Sequence, residues 1–118
     1  MIRVYCAGDY SANNVITTLQ NIGKGLKACA ELFEFGFAPY NPWADRDYIL
    51  QRPYKNYDVK QFHAASMAWV DVADCLYVIS GKGNKGGVDK EIKRAQELGI
   101  PVFYELGALL NWRDKLAI

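Results

Sequence analysis

The residues whose types and spacing could do chemistry lie around one glycine-rich stretch. An apolar run from Cys75 to Ile79 gives way to Ser80-Gly81-Lys82-Gly83-Asn84-Lys85-Gly86-Gly87. After it, Val88, Ile92, Ala95 and Leu98 recur at helical rather than strand spacing. With Val88 at zero on a helical wheel, Ile92, Ala95 and Leu98 fall at about 40°, −20° and −80°, and Glu91 falls at about −60°. Glu91 is therefore the only charge on the buried face, whereas Asp89, Lys90, Lys93, Arg94, Gln96 and Glu97 point elsewhere. Desolvation raises the pKa of a carboxylate so placed, while the free N–H groups of the first helical turn favour its anion. Such a glutamate is a candidate for chemistry; one that bends back to cap its own helix would occupy the same position.

The glycine-rich loop lacks the G-x-x-x-x-G-K-[ST] order, and no G-x-G-x-x-G follows the first apolar run, so the two familiar phosphate fingerprints are absent. A glycine run feeding a helix N-terminus still offers several backbone N–H groups, and Lys82 and Lys85 add positive charge, which is the chemistry of a phosphate cradle.

Elements able to position these groups can be read along the chain. Ile2 to Ala7 has the composition of a covered strand, ended by Gly8-Asp9-Tyr10-Ser11. Ser11, Asn13 and Asn14 offer N-caps to a helix from about residue 14 to 34, with Val15, Leu19, Ile22, Leu26, Cys29 or Ala30, and Phe33 as its apolar stripe. Gly23 and Gly25 inside it are expected to permit close packing on a neighbour. Prolines 39 and 42 restrict the next segment to a short extended piece, and Trp43 to Asn56 reads as a long loop with at most one helical turn. A second helix starts at Asp58, with Val59, Phe62, Ser66, Trp69 or Val70, and Ala73 on one face. His63, the single histidine, sits on its rim. A strand at Cys75 to Ile79, the helix bearing Glu91, a strand after Gly99 and a short helix from Ala108 to Leu116 complete the chain.

Strand and helix thus alternate four times, which predicts one α/β domain: a three-layer α/β/α arrangement with a four- to five-stranded parallel, Rossmann-like (flavodoxin-like) sheet. Ligands of such sheets lie outside the C-terminal strand ends, where this chain has Gly8 to Asn13, the segment after Pro42, and Ser80 to Glu91.

Composition narrows the partners. At 118 residues, 51% hydrophobic and 23% charged, the chain is long enough for one core and is not of disordered composition. A net charge of +1 disfavours a duplex nucleic-acid surface, so a small molecule is the expected partner. Cys6, Cys29 and Cys75 lack metal-type spacing and read as buried thiols of a reducing cytoplasm; neither a metal nor a cofactor is expected. No run approaches a membrane span, and Met1 to Gly8 has no signal-peptide layout, so a cytoplasmic location is expected.

Together, Val4-Tyr5-Cys6-Ala7-Gly8 followed by Tyr10-Ser11, Ala73-Asp74 ahead of a strand, Gly87-Val88-x-x-Glu91-Ile92-x-x-Ala95, and Gly99-Ile100-Pro101-Val102 resemble the nucleoside 2-deoxyribosyltransferase superfamily. The likeness is nearest to its small members, the nucleotide N-glycoside hydrolases and the short bacterial and phage-type deoxyribosyltransferase-like proteins, and spans nearly the whole chain. It implies cleavage or transfer at the N-glycosidic bond of a 2-deoxyribonucleoside or its 5′-monophosphate, with Glu91 as nucleophile and Tyr5 hydrogen-bonded to it. Water as acceptor would make a hydrolase, and a second base a transferase. A nucleotide-binding protein without catalysis on the same scaffold is the alternative.

The sequence departs from that family at two places. Ser66 stands where an aspartate is usual in the helix before the third strand, and Lys85 where a serine or aspartate precedes the glutamate by six residues. Asp9, in the loop after the first strand, is the candidate replacement acid. The substrate-binding set expected is Gly8, Ser11, Trp43, Tyr54, Ser66, Ser80, Lys85 and Gly87, with Trp43 or Tyr54 stacking on the base and Lys85 favouring a 5′-phosphate. The resemblance also implies a homo-oligomer, a dimer or tetramer, with Leu109, Leu110 and Trp112 as candidate contacts.

Overall fold

The computed structural model describes residues 1–10, 12–79 and 87–116. Four strands and five α-helices alternate along it: β1 (Arg3–Ala7), α1 (Val15–Glu34), β2 (Ala38–Tyr40), α2 (Asp45–Gln51), α3 (Val59–Val70), β3 (Cys75–Val78), α4 (Gly87–Leu98), β4 (Val102–Phe103) and α5 (Leu106–Leu116). All strand pairs are parallel, in the order β2-β1-β3-β4. This is the expected α/β sheet of flavodoxin-like order, in its four-stranded form. Among the described residues no helix is long and apolar enough to cross a membrane.

Side chains alternate across a strand, and β1 uses that alternation to feed two different layers. Val4 and Cys6 join Ile22, Cys29 and Leu32 of α1, Phe37, Trp43, Cys75 and Leu109 of α5 in one buried cluster. Tyr5 and Ala7 point the other way and join Val70 of α3, Leu76, Val78, and Val88 and Ala95 of α4 in a second. The order of strands places β1 and β3 at the centre, so their C-terminal ends meet the switch in strand order. At the opposite, N-terminal ends Asp74 ties the two strands together: its carboxylate accepts from Arg3 N at 2.7 Å, and its own N–H donates to Arg3 O at 2.9 Å.

Asn14 caps α1, its side chain accepting from Thr17 N at 2.8 Å, so the helix starts where its sequence signals it. Its buried face differs from the apolar stripe. Ile22, Gly25, Cys29 and Leu32 face the core, whereas Val15, Leu19, Leu26 and Phe33 are exposed. Gly25 explains the rotation. A Cβ there would lie 2.2 Å from the indole of Trp43, so the glycine admits the largest fully buried side chain against the helix backbone. Gly23 has nothing nearby and serves no such contact.

The stretch read as a long loop is largely helical. A 3₁₀ turn at Pro42–Ala44, with the Asn41 side chain accepting from Trp43 N at 3.0 Å, leads directly into α2. Seven residues form too short a helix for an apolar period to show in the sequence. On α4, Leu98 is 40% exposed and not part of the buried face, because the chain turns at Gly99, with φ +74°, towards β4. Leu109 is fully buried and Trp112 packs on Phe103 within the same chain. Leu109 therefore belongs to the chain's own core and is not a free contact for a second copy, whereas Trp112 is half-buried against it.

Candidate active site

Glu91 arrives at the site in the second turn of α4, on the face that Val88 and Ala95 bury. At 9% exposure it is the one buried carboxylate among the described residues. The Tyr5 hydroxyl, coming from the centre of the sheet, donates to Glu91 Oε2. The two residues are 86 positions apart in sequence, and they meet because β1 alternation and the α4 wheel aim at the same layer. Behind Tyr5 the ring of Tyr40 stacks at 5.4 Å, and Trp69 stacks on Tyr40 at 5.0 Å, so the phenol is clamped from β2 and α3.

Burial raises the Glu91 carboxyl from its ordinary 4.5 to about 7; the Tyr5 hydrogen bond pulls the other way, and the negative charge of Asp45 adds to the rise. Tyr5 is pushed up as well, first by burial and then by the charge and hydrogen bond of Glu91, with a hydrogen bond from Ser66 opposing. The phenol accordingly stays protonated and serves as a permanent donor. Glu91 instead sits at the edge between acid and anion near neutrality, the condition of a group that can either hold or release a proton, or attack once ionised.

A cavity of about 690 Å³ opens over this pair. Tyr5, Gly8, Asp9 and Tyr10 line it from β1 and the following loop, Pro42, Trp43, Asp45, Arg46 and Ile49 from the segment after β2 and from α2. Val59, Phe62, His63 and Ser66 contribute from α3, and Gly87, Val88 and Glu91 from α4. It is thus the crevice outside the C-terminal strand ends, with apolar and polar side chains mixed along its wall, and of a size for a small ligand.

Of the residues singled out from sequence, Glu91, Tyr5, Asp9, Gly8, Ser66 and Gly87 come together at this cavity. Asp9 is exposed there. Trp43 is in the wall in a different capacity: it is 2% exposed, packed on Gly25, and its indole N–H donates to Asp9 O at 3.0 Å. A ring held on that surface braces the rim and is not available to stack on a base. Tyr54 is 73% exposed, beneath the Arg52 guanidinium, and does not line the cavity. Ser11, Ser80 and Lys85 lie outside the described residues.

Sequence reasoning passed over Asp45 and Arg46. Asp45 opens α2 and is half-buried, and loss of solvent raises its carboxyl above the ordinary range. Asn41-Pro42 followed by two aspartates is a helix-start signal, and it could have marked this position. His63, read as a rim residue, stands beside the start of α4: a Cβ on Gly87 would lie 3.5 Å from its Nε2. No protein-family model and no curated protein matches this chain.

Proposed function

We propose that this chain is an enzyme of the nucleoside 2-deoxyribosyltransferase type, cleaving or transferring deoxyribose at the N-glycosidic bond of a deoxynucleoside or its 5′-monophosphate. The observation that carries the reading is the buried Tyr5–Glu91 pair at the floor of a cavity on the C-terminal edge of a parallel sheet. A carboxylate below the sugar attacks C1′ as the base departs and positive charge spreads over the ring, which is the first half of a retaining glycoside cleavage. Tyr5 orients the carboxylate and favours its ionised form against the burial that opposes it. Phe62, Val59 and Ile49 offer the apolar surface that a base requires in place of Trp43 and Tyr54.

The chain acts as a cytoplasmic homo-oligomer in this reading. The exposed row Val15, Leu19, Leu26 and Phe33 on α1 supports association more directly than α5, whose Leu109 is committed to the core.

The purified protein should be incubated with a panel of deoxynucleosides and their 5′-monophosphates, with and without a second free base, and the base released or exchanged followed by chromatography. Release is expected from wild type and not from Glu91→Ala. Dependence on the second base separates transferase from hydrolase. No product from any substrate, with one of them raising the melting temperature, would replace the enzyme with a nucleotide-binding protein on the same scaffold.

A further inference from the structure

A base leaving from C1′ needs a proton, and at residue 66 the chain offers a hydroxyl where the resemblance sets a carboxylic acid. We infer that Asp45 supplies that proton: it lines the cavity that holds Glu91, on an element that the sequence alone reads as loop. The inference rests on the glycosidic reading of the site.

Asp45 is held by more than its own helix. Its backbone N–H donates to Pro42 O, closing the 3₁₀ turn that Asn41 caps. The Trp43 indole inside that turn is locked between Gly25 and Asp9 O. The backbone that carries this carboxyl is thereby anchored on its N-terminal side, which limits where the group can go, as proton transfer requires. Asp9, by contrast, is exposed on the loop after β1.

Electrostatics agree with the placement. Asp45 bears on Glu91, Tyr40 and Tyr10, and is itself raised by burial. Arg46 lines the same cavity as a counter-charge, with His63 and Asp9 the other titratable groups around it. A bound substrate sets the two protonation states: positive charge growing at C1′ favours the Glu91 anion, and the basic leaving group favours the acid form of Asp45.

The step then balances. The C1′–N bond breaks and its electron pair passes into the base, which takes the Asp45 proton at a basic ring nitrogen or exocyclic oxygen (N7 in a purine), while a Glu91 oxygen bonds to C1′. In hydrolysis, water adds to C1′ and gives a proton to the Asp45 carboxylate as the bond to Glu91 breaks. Both carboxyl groups return to their starting forms.

Leaving-group dependence tests this. The substrate that wild type cleaves is compared with a form whose base departs without protonation, N7-methylated for a purine or 5-fluorinated for a pyrimidine. Asp45→Asn should lower turnover of the ordinary substrate by roughly 10²- to 10⁴-fold and leave the activated one nearly unchanged, which also shows that the variant folds. Equal losses on both substrates, no loss on either, or the split appearing with Asp9→Asn instead would each overturn the assignment to Asp45. If wild type releases no base from any compound, the glycosidic reading falls first and this assignment with it.

Discussion

The two sides of the sheet make the most instructive comparison in the molecule, because one strand supplies both. On the α1 and α5 side, β1 contributes Val4 and Cys6 to a cluster whose described members are apolar or thiol side chains. On the α3 and α4 side, one residue further along, it contributes Tyr5 to a layer that also buries Ser66 and Glu91. The first side gains stability from area removed from water. The second carries a carboxylate that burial works against, raised to about 7, with a tyrosine as its partner. The apolar layer and the layer with the buried carboxylate thereby lie on opposite faces of the same five residues.

The comparison can be broken most severely on the stabilising side. Leu32 is completely buried against β1, and Leu32→Ala should lower the unfolding free energy by about 2–5 kcal/mol in urea titration, with turnover per folded molecule unchanged.

Replacing the acid sharpens the contrast in the opposite direction. Glu91 has a folded pKa of about 7 against an ordinary 4.5. The folded chain therefore holds this proton more tightly than the unfolded chain. Its contribution is fully present below pH 4.5 and is lost as pH rises through about 7. At about 1.36 kcal/mol per pH unit, the loss is about 3 kcal/mol. Glu91→Gln, which keeps an acceptor for Tyr5 and never ionises, should be more stable than wild type by up to that amount at pH 8 and no more stable at pH 4. Parallel urea titrations at the two pH values check it. Equal differences at both would mean that burial does not tax the anion.

The smallest effect is expected outside both faces. Phe33 is 72% exposed, so Phe33→Glu should change monomer stability by no more than about 0.5 kcal/mol. By light scattering, the same substitution should shift the oligomer towards monomer. A wild-type chain that is already monomeric would remove α1 as an interface.

Legibility from sequence followed the same division. The wheel placed Glu91 inward because a twelve-residue helix with a strong apolar period leaves little choice of face. The fold was legible for a similar reason, each strand being punctuated by glycine or proline and followed by a periodic helix. The facing of Tyr5 was implied by the family resemblance alone, since a strand covered on both sides has no polar alternation to show which residues point where. The buried face of α1 was misread because hydrophobicity gives glycine no weight, while Gly25 is where the helix approaches Trp43 most closely. Asp45 escaped notice for want of length in α2, and only tertiary packing reveals that it faces Glu91's cavity.

The contact between Gly25 and Trp43 has a consequence for how this sequence can drift. Position 25 accepts no carbon beyond Cα while an indole fills the space, and the indole cannot shrink without surrendering the N–H that holds the carbonyl of residue 9. A side chain at position 25 therefore requires a smaller residue at 43, and every such pair gives up the tether on the cavity rim. A helix glycine distant from the carboxylates thus answers to the same selection as the site itself, and homologues with a side chain at position 25 should differ in the loop after β1 as well.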